Sequence, residues 1–266
     1  QADLIKKIAP ENCAAHGASS SLAKALLLLQ QYPKTTIFCH QADWLAASLT
    51  GNYGLSDENN CLKFGYDSIK QQWPDWLIDN PQFKFPASTL PKVLTPGTVM
   101  SNVKPDLVTK YKLSKNCMVV AGTTDSNAAV LATGANKIGD AVTSLGSTLV
   151  IKVFSETALF NPGYGIYSHH LNNHWLVGGA SNTGGSVLRQ YFTQLQLDAM
   201  TPQLQPEKSL NLNYYPLPAT GERFPVSDSN KQNHTSPRPK NDVDFFQALL
   251  EGITHIEAGA YKKLES

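Results

Sequence analysis

Residues 119–152 read VVAGTTDSNAAVLATGANKIGDAVTSLGSTLVIK, and this stretch decides the fold. The run 117–121 is short, apolar and β-branched, which predicts a buried strand that ends at Gly122. A helix is predicted to follow, with its first turn capped by a side chain among residues 124–126. Asp125 therefore lies where a strand becomes a helix, at the sheet edge where α/β proteins usually keep their ligands.

The second half of this stretch predicts a β-hairpin. Residues 141–145 and 148–154 are rich in β-branched side chains, and a Gly-Ser turn separates them. The turn residues Gly146, Ser147 and Thr148 can present backbone N–H groups and two hydroxyls to a phosphate. A carboxylate about twenty residues before such a turn suggests phosphoryl transfer to an alcohol.

These motifs resemble a known family. GTTDSNAA at 122–129 and GDAVTSLGSTLVIK at 139–152 are similar to the junction between the two halves of the FGGY carbohydrate kinases, which are members of the actin-like ATPase superfamily. The resemblance implies that Asp125 is the general base that takes the proton from a sugar hydroxyl, with Thr124 beside it in the sugar site. It also implies that the turn at 146–148 touches nucleotide phosphate. The order here is Gly-Ser-Thr where many members have Gly-Thr-Ser, so either hydroxyl is a candidate for that contact.

Other motifs match the same family in the same order along the chain. They are QADWLAASLTG (41–51), SDENNCLKFGYD (56–67), LPKV (90–93), YYPLPATGERFPV (214–226) and FFQALLEGITHIEAGAYKKL (245–264). Together they most closely resemble the ribulokinase- and xylulokinase-like sugar kinases of cyanobacteria and plants. The family's opening Asp-x-Gly-Thr turn and closing adenosine loop have no counterpart here. The chain is therefore expected to be an internal fragment that begins roughly a hundred residues into the enzyme.

The resemblance implies an α/β fold of the actin-like ATPase (ribonuclease H-like) type, with two domains that are both truncated. Residues 1–137 are expected to be the C-terminal part of the sugar-binding domain. Residues 138–266 are expected to be the N-terminal part of the nucleotide-binding domain. A length of 266 residues is by itself too long for one ordinary core and suits two domains or one large α/β domain.

Hydrophobic periodicity predicts the main helices. The segment 22–29 is apolar on nearly all sides, which indicates a buried helix capped by a serine among residues 19–21. Further helices are predicted at 40–49 and 242–264. The proline-rich residues 81–105 predict an extended connection with turns.

Gly184 and Gly185 end a glycine-rich turn at 178–185 that follows a predicted strand at 174–177. The helix predicted from Ser186 has unpaired N–H groups at its positive end, which makes the turn a candidate nucleotide-phosphate site. The same glycines are equally consistent with a close crossing of two backbones. The sequence leaves both interpretations open.

Composition excludes other classes of partner. The chain has 22 basic and 21 acidic residues, a net charge of +1 and no basic stripe interleaved with aromatic residues, so nucleic acid is not an expected partner. No apolar run reaches the length of about 18 residues that a membrane helix needs. A small-molecule sugar and ATP are the partners that the family resemblance implies, and the sequence does not predict an oligomeric state.

Cysteine and histidine spacing gives two further expectations. The four cysteines lack a C-x-x-C spacing, which favours reduced thiols in the cytoplasm, or in the plastid stroma of a plant. His169, His170 and His174 cluster without an evident carboxylate or cysteine partner, so no protein-built metal site is predicted.

Three further features in the second half of the chain lead to structural or functional expectations. Glu222 and Arg223 predict an exposed ion pair of little energetic weight. Residues 227–241 predict a mobile surface loop. Glu251, in the last helix, is a candidate for the nucleotide pocket.

The leading hypothesis is ATP-dependent phosphorylation of a pentulose such as D-ribulose, with xylulose or glycerol as the alternative acceptor. Mg²⁺ is expected to bridge phosphate oxygens while Asp125 accepts the hydroxyl proton. Taken alone, Asp125 would more often be a helix cap, and the family resemblance favours the base. Two other classes remain, a non-catalytic sugar- or nucleotide-binding remnant and an actin-like ATPase switch. The fragment alone is expected to have little or no kinase activity.

Overall fold

A computed structural model describes residues 1–16, 20–32, 34, 37–78, 80–83, 85–171 and 173–265. The chain divides into two compact units. The first comprises Gln1–Asn136, Ser155–Pro162 and Ser168–Leu176, and the second comprises Lys137–Phe154, Gly163–Tyr167 and Val177–Ser266. The assignment of the two halves of the chain to sugar- and nucleotide-binding domains stays a prediction.

The first unit contains short helices around two small strand pairs. Its helices are α1 (Ala2–Ile8), α2 (Ser21–Gln31), α3 (Gln41–Thr50), α4 (Glu58–Cys61), α5 (Asp75–Ile78), α6 (Pro105–Tyr111) and α7 (Asp125–Ala132). The strands that lie wholly within it are β1 (Leu55–Asp57), β2 (Lys92–Leu94), β3 (Val99–Asn102) and β4 (Met118–Val120). β1 pairs with β2 in parallel, and β3 pairs with β4 in antiparallel.

A four-stranded sheet and three helices follow. The strands β5 (Ala141–Leu145), β6 (Leu149–Ser155), β7 (Tyr167–Leu171) and β8 (His174–Ser181) form a sheet in the order β5-β6-β8-β7. The helices are α8 (Gly185–Tyr191), α9 (Gln194–Met200) and α10 (Asp242–Glu265). Helices and strands are mixed along the whole chain, which confirms the predicted α/β class.

The core of the first unit is aromatic at its centre. Phe64 lies 5.9 Å from Phe38, 5.6 Å from Phe85 and 5.5 Å from Trp73, measured between ring centroids. The pairs with Phe85 and Trp73 are edge-on, and aromatic pairs of this kind add roughly 0.5–1.5 kcal/mol each to the burial of their apolar area. All four tryptophans of the chain lie in this unit; they are Trp44, Trp73, Trp76 and Trp175.

Helix α2 forms as predicted, but only one side of it is buried. Ser20 caps it by accepting a hydrogen bond from the backbone N–H of Ala23 at 3.1 Å, whereas Ser19 lies outside the described residues. Leu27 and Leu28 are 48% and 44% exposed, so the expectation of a buried helix is wrong for this side. The helical repeat of 3.6 residues places these two leucines away from the buried side, and an apolar sequence does not change that geometry.

The segment 81–105 is not only an extended connection, because it contains β2 and β3. Pro91 and Pro96 flank β2, where a missing N–H group breaks no ladder hydrogen bond. Lys92 begins β2 and donates its backbone N–H to the Gly54 carbonyl at 2.8 Å. Strands of three and four residues give too little alternation to be recognised among prolines.

Strand β8 is longer than the predicted 174–177, because residues 178–181, which include Gly178 and Gly179, belong to it rather than to the following turn. A Cβ atom on Gly178 would lie 2.8 Å from the carbonyl oxygen of Ile151, and one on Gly179 would lie 2.8 Å from the Phe224 ring. These two glycines therefore allow a close approach within the strand, a role that glycine often has in sheets.

The long helix α10 packs its apolar side against the core of the second unit, as predicted. Phe245 lies 5.0 Å from Tyr191, 6.0 Å from Phe192 and 6.2 Å from Tyr214, between ring centroids. The segment 227–241 has defined backbone pairs, since Tyr215 bonds to His234 and Glu222 bonds to Asp228. Its predicted mobility stays a prediction.

The four cysteines are free thiols in the structure; they are Cys13, Cys39, Cys61 and Cys117. Cys61 is fully buried, and this burial raises the pKa of its thiol. Among the described residues, no helix is both long enough and apolar enough to cross a membrane.

Candidate functional site

Asp125 is the first residue of α7, immediately after the turn that follows β4. Its side chain is exposed, and its Oδ1 accepts a hydrogen bond from the Ser126 backbone N–H at 2.7 Å. The predicted strand–turn–helix is confirmed, but the expectation that its strand is buried is wrong, since Met118 and Val120 in β4 are 54% and 49% exposed. Thr124 occupies the N-cap position without a capping hydrogen bond from its side chain. A carboxylate here lies at the positive end of the helix and is open to a ligand.

A buried hydrogen-bond cluster fixes the turn that precedes Asp125. Asn59 is 3% exposed and donates through Nδ2 to Thr123 Oγ1 at 2.9 Å and to the His170 carbonyl at 3.1 Å. Asn127, which is fully buried in α7, donates to the same Thr123 hydroxyl at 3.1 Å. Thr123 is two residues before Asp125, so the cluster holds the backbone from which the Asp125 side chain projects.

Two buried carboxylates lie at the carboxyl end of β1, and sequence reasoning did not assign them to the site. Asp57 is 3% exposed and accepts from the backbone N–H groups of Asn59 at 3.0 Å and Asn60 at 2.9 Å. Glu58 is 1% exposed, and its Oε1 lies 2.9 Å from His170 Nδ1. Burial raises the pKa of both carboxyl groups, and the His170 contact opposes this rise for Glu58.

The expectation that the histidine cluster lacks a carboxylate partner is wrong for His170. Its partner Glu58 is 112 residues earlier in the chain, so no local pattern revealed the pair. The available signal was the run of polar residues at 56–60, the first two of which belong to β1. Within the part of the chain that the structure describes, no group of three or more His, Cys, Asp or Glu side chains is arranged to hold a metal ion.

Replacing Asn59 by Ala is expected to lower the free energy of unfolding by about 1–3 kcal/mol, because the His170 carbonyl loses its buried donor. Urea unfolding measures this loss. Asn116→Ala is the matched control, since Asn116 is exposed and its backbone N–H, which the substitution keeps, donates to Ser114 Oγ at 3.2 Å. Equal stability of the two variants would show that the cluster does not stabilise the turn.

In the second unit, the turn between β5 and β6 rests on the glycine turn that follows β8. Leu145 is paired with Leu149, so the hairpin turn has the three residues 146–148. Gly185 donates its backbone N–H to the Gly146 carbonyl at 2.8 Å, and Ser186 donates to the Ser147 carbonyl at 3.2 Å. The turn is thereby supported from one side.

The close backbone crossing is the interpretation of Gly184 and Gly185 that is present in the structure. A Cβ atom on Gly184 would lie 2.7 Å from Thr148 Cα, and one on Gly185 would lie 2.8 Å from the Gly146 carbonyl oxygen. The N–H group of Gly185 is already used in this contact. A direct role of these two glycines in phosphate binding stays a prediction, as does the role of the 146–148 turn.

Glu222 is buried, so the expectation of an exposed Glu222–Arg223 ion pair is wrong. Its carboxylate is only 3% exposed and accepts hydrogen bonds from Ser181 Oγ at 2.6 Å, the Asn182 backbone N–H at 2.8 Å and the Tyr215 hydroxyl at 3.1 Å. The Arg223 side chain is exposed. Burial, together with the Glu222 charge, raises the pKa of Tyr215.

Glu251 ties α10 to the segment before it. Its carboxylate accepts from Ser209 Oγ at 3.0 Å, from the Leu210 backbone N–H at 3.1 Å and from Gln247 Nε2 at 3.0 Å. These contacts give Glu251 a structural role in the second unit. A role for Glu251 in the nucleotide pocket stays a prediction.

The residues predicted for the site are divided between the two units. Thr124 and Asp125 belong to the first unit. The turn 146–148 belongs to the second unit, where it contacts Gly184 and Gly185.

The amino-acid sequence of the chain is similar to those of known proteins whose names give an activity. No protein-family model matches the chain. The chain is 28% identical over 166 residues to the putative sugar kinase YoaC of Bacillus subtilis, covering 60% of this chain and 33% of the relative. It is 25% identical over 228 residues to the xylulose kinase of Lactococcus lactis, covering 80% and 44%. The chain therefore spans less than half the length of these relatives.

Solved structures of sugar kinases share the fold. The xylulose kinase of Rhodospirillum rubrum matches with a TM-score of 0.77 at 21% identity, over 97% of this chain and 56% of that one. The glycerol kinase of Plasmodium falciparum, solved with ADP, matches with a TM-score of 0.79 at 16% identity, over 98% and 57%. The chain therefore shares the fold of these sugar kinases. Membership of the FGGY family, with its actin-like ATPase fold, stays a prediction from the sequence motifs.

Proposed function

We propose that the protein containing this chain is an ATP-dependent carbohydrate kinase that phosphorylates a sugar hydroxyl. The observation that carries the proposal is the exposed carboxylate of Asp125 at the start of α7, in a fold shared with sugar kinases. An exposed carboxylate can meet a hydroxyl, and the buried cluster around Thr123 keeps its backbone in place.

The proposed chemistry gives each unit a separate task. Asp125 accepts the proton of the attacking sugar hydroxyl, a contribution worth roughly 10²- to 10⁴-fold in rate. Thr124, beside it, contacts the sugar. The turn 146–148, in which Gly146 and Ser147 are exposed, binds the nucleotide phosphates through its N–H groups and hydroxyls.

Mg²⁺ enters this proposal together with ATP, as part of the substrate. In phosphoryl transfer the ion bridges phosphate oxygens and neutralises their charge. Such an ion is commonly held by substrate phosphates, water and one or two carboxylates rather than by a protein cage.

The proposed acceptor is a pentulose. D-Ribulose is the first candidate, because the sequence motifs resemble those of ribulokinase-like enzymes. D-Xylulose is the second candidate, since the Lactococcus lactis relative and the Rhodospirillum rubrum structure are xylulose kinases. Glycerol is a third candidate, because the Plasmodium falciparum structure is a glycerol kinase.

A coupled ADP-release assay on the full reading frame, with ribulose, xylulose, glycerol and gluconate, tests the proposal. We expect one pentulose to have the highest kcat/KM, by about tenfold or more over glycerol, because a site built for the hydroxyls of one sugar leaves polar groups unpaired with another. No turnover with any acceptor would contradict the proposal and favour a non-catalytic remnant. ATP hydrolysis that no sugar changes would favour an actin-like ATPase switch.

A further inference from the structure

The carboxylate of Glu222 joins three segments of the second unit. On one side it accepts from Ser181 Oγ at 2.6 Å and from the Asn182 backbone N–H at 2.8 Å, both at the end of β8. On the other side the Tyr215 hydroxyl donates to the same carboxylate oxygen as Ser181, at 3.1 Å. The Arg223 backbone N–H donates to the other oxygen at 2.9 Å. Hydrogen bonds to a buried carboxylate are about twice as strong as neutral ones.

Two further hydrogen bonds connect Ser181, the partner of this carboxylate in β8, to the hairpin turn. Ser181 Oγ also accepts a hydrogen bond from the Thr183 backbone N–H at 3.1 Å, and Thr183 is completely buried. The Thr183 carbonyl then accepts from the Leu149 N–H at 2.7 Å, at the residue that follows the turn 146–148. Gly184 is packed so closely against Thr148 that its Cβ would overlap the backbone there.

The other contacts of Tyr215 are with residues outside the turn. Tyr215 pairs through its backbone with His234, and its ring lies 4.5 Å from Lys231 Nζ. One oxygen of the Glu222 carboxylate therefore accepts from two hydroxyl groups, and these groups connect it to different parts of the unit. Ser181 helps to support the turn 146–148, whereas Tyr215 contacts the surface segment around 231–234.

We propose that Glu222 is a positioning residue for the nucleotide phosphates, because it fixes the 181–184 segment on which the turn 146–148 rests. This inference depends on the proposed role of that turn in ATP binding. Glu222 itself touches no substrate in the proposal. Its effect is geometric, since a shift of about 1 Å in groups that position a substrate can cost about 100-fold in rate.

Two single-hydroxyl deletions test the inference in the full protein. Ser181→Ala removes the donor on the turn side, and Tyr215→Phe removes the donor on the far side of the same oxygen. We expect Ser181→Ala to raise the KM for ATP by about 10- to 100-fold while the KM for the sugar stays within about twofold. Tyr215→Phe is expected to leave both KM values within about twofold. Glu222→Gln, if it folds, should change the KM for ATP in the same direction as Ser181→Ala.

The thermal midpoint of each variant separates positioning from simple stabilisation. Equal losses in midpoint for Ser181→Ala and Tyr215→Phe, with an unchanged KM for ATP in both, would overturn the inference and leave Glu222 as a structural clamp. Calorimetry with ADP distinguishes this failure from failure of the proposed function. Weaker ADP binding by Ser181→Ala alone supports positioning even if no sugar is phosphorylated, and no ADP binding by the unmodified protein overturns both proposals.

Discussion

Replacing Asp125 by Asn is expected to reduce sugar phosphorylation by roughly 10²- to 10⁴-fold in kcat, because an amide cannot accept the proton of the attacking hydroxyl. The fold should persist, since the Asn side-chain oxygen can still accept the hydrogen bond from the Ser126 backbone N–H. The KM for ATP should change little, because the proposed phosphate contacts come from the turn 146–148. Steady-state kinetics of the full protein measure both constants.

Asp106→Asn is the matched control for this experiment. Asp106, like Asp125, is an exposed carboxylate in the first turn of a helix, here α6. Each substitution removes a favourable charge from a helix N-terminus, with a cost of about 0.3–1 kcal/mol in stability. Only Asp125→Asn should lose activity. Near-normal turnover by Asp125→Asn would show that Asp125 is a helix-terminal charge and not the base.

The second large effect is expected from Gly184→Ala, which should lower the free energy of unfolding by about 2–5 kcal/mol. Gly184 has φ of 146° and ψ of −162°, a conformation that side chains rarely adopt. The new Cβ would also lie within 2.8 Å of Ser147 O and 2.7 Å of Thr148 Cα, which are backbone atoms and cannot rotate away. The turn 146–148 must move, so weaker ADP binding is expected as well.

Gly139→Ala separates the backbone strain from the collision. Gly139 belongs to the same unit and has a positive φ of 86°, but a Cβ there would meet nothing within 4 Å. It should cost only about 1–2 kcal/mol and leave ADP binding unchanged. Urea unfolding followed by circular dichroism, with calorimetry of ADP binding, measures both effects. A loss no greater for Gly184→Ala than for Gly139→Ala would mean that the contact with the turn is unimportant.

The elements that sequence reasoning recovered are those whose signals are local. The strand before Gly122, the hairpin around 146–148 and the helix α10 are each specified by a periodicity or a turn within about twenty neighbouring residues. The strands β1, β2 and β3 were missed. Each has only three or four residues, and partners elsewhere in the chain decide whether it pairs.

Side-chain environments were predicted less well than elements. Glu222 stands beside Arg223 in the sequence, but its partners Ser181 and Asn182 are about forty residues away and remove it from solvent. The environment of His170 was missed for the same reason, because its partner Glu58 is distant in the sequence. The position of Asp125 at the start of a helix could be predicted from its neighbours. Its proposed role as a base came from the family resemblance rather than from any local pattern.

The distribution of tryptophan gives the chain a spectroscopic label that needs no engineering. All four indole side chains lie in the first unit, and Trp73 packs into its aromatic core at 5.5 Å from Phe64. Emission excited selectively through indole therefore reports on the surroundings of that unit alone. Circular dichroism reports on the backbone of both units. Two denaturation curves from one sample would thus show whether the unit that carries Asp125 loses its structure together with the rest of the chain.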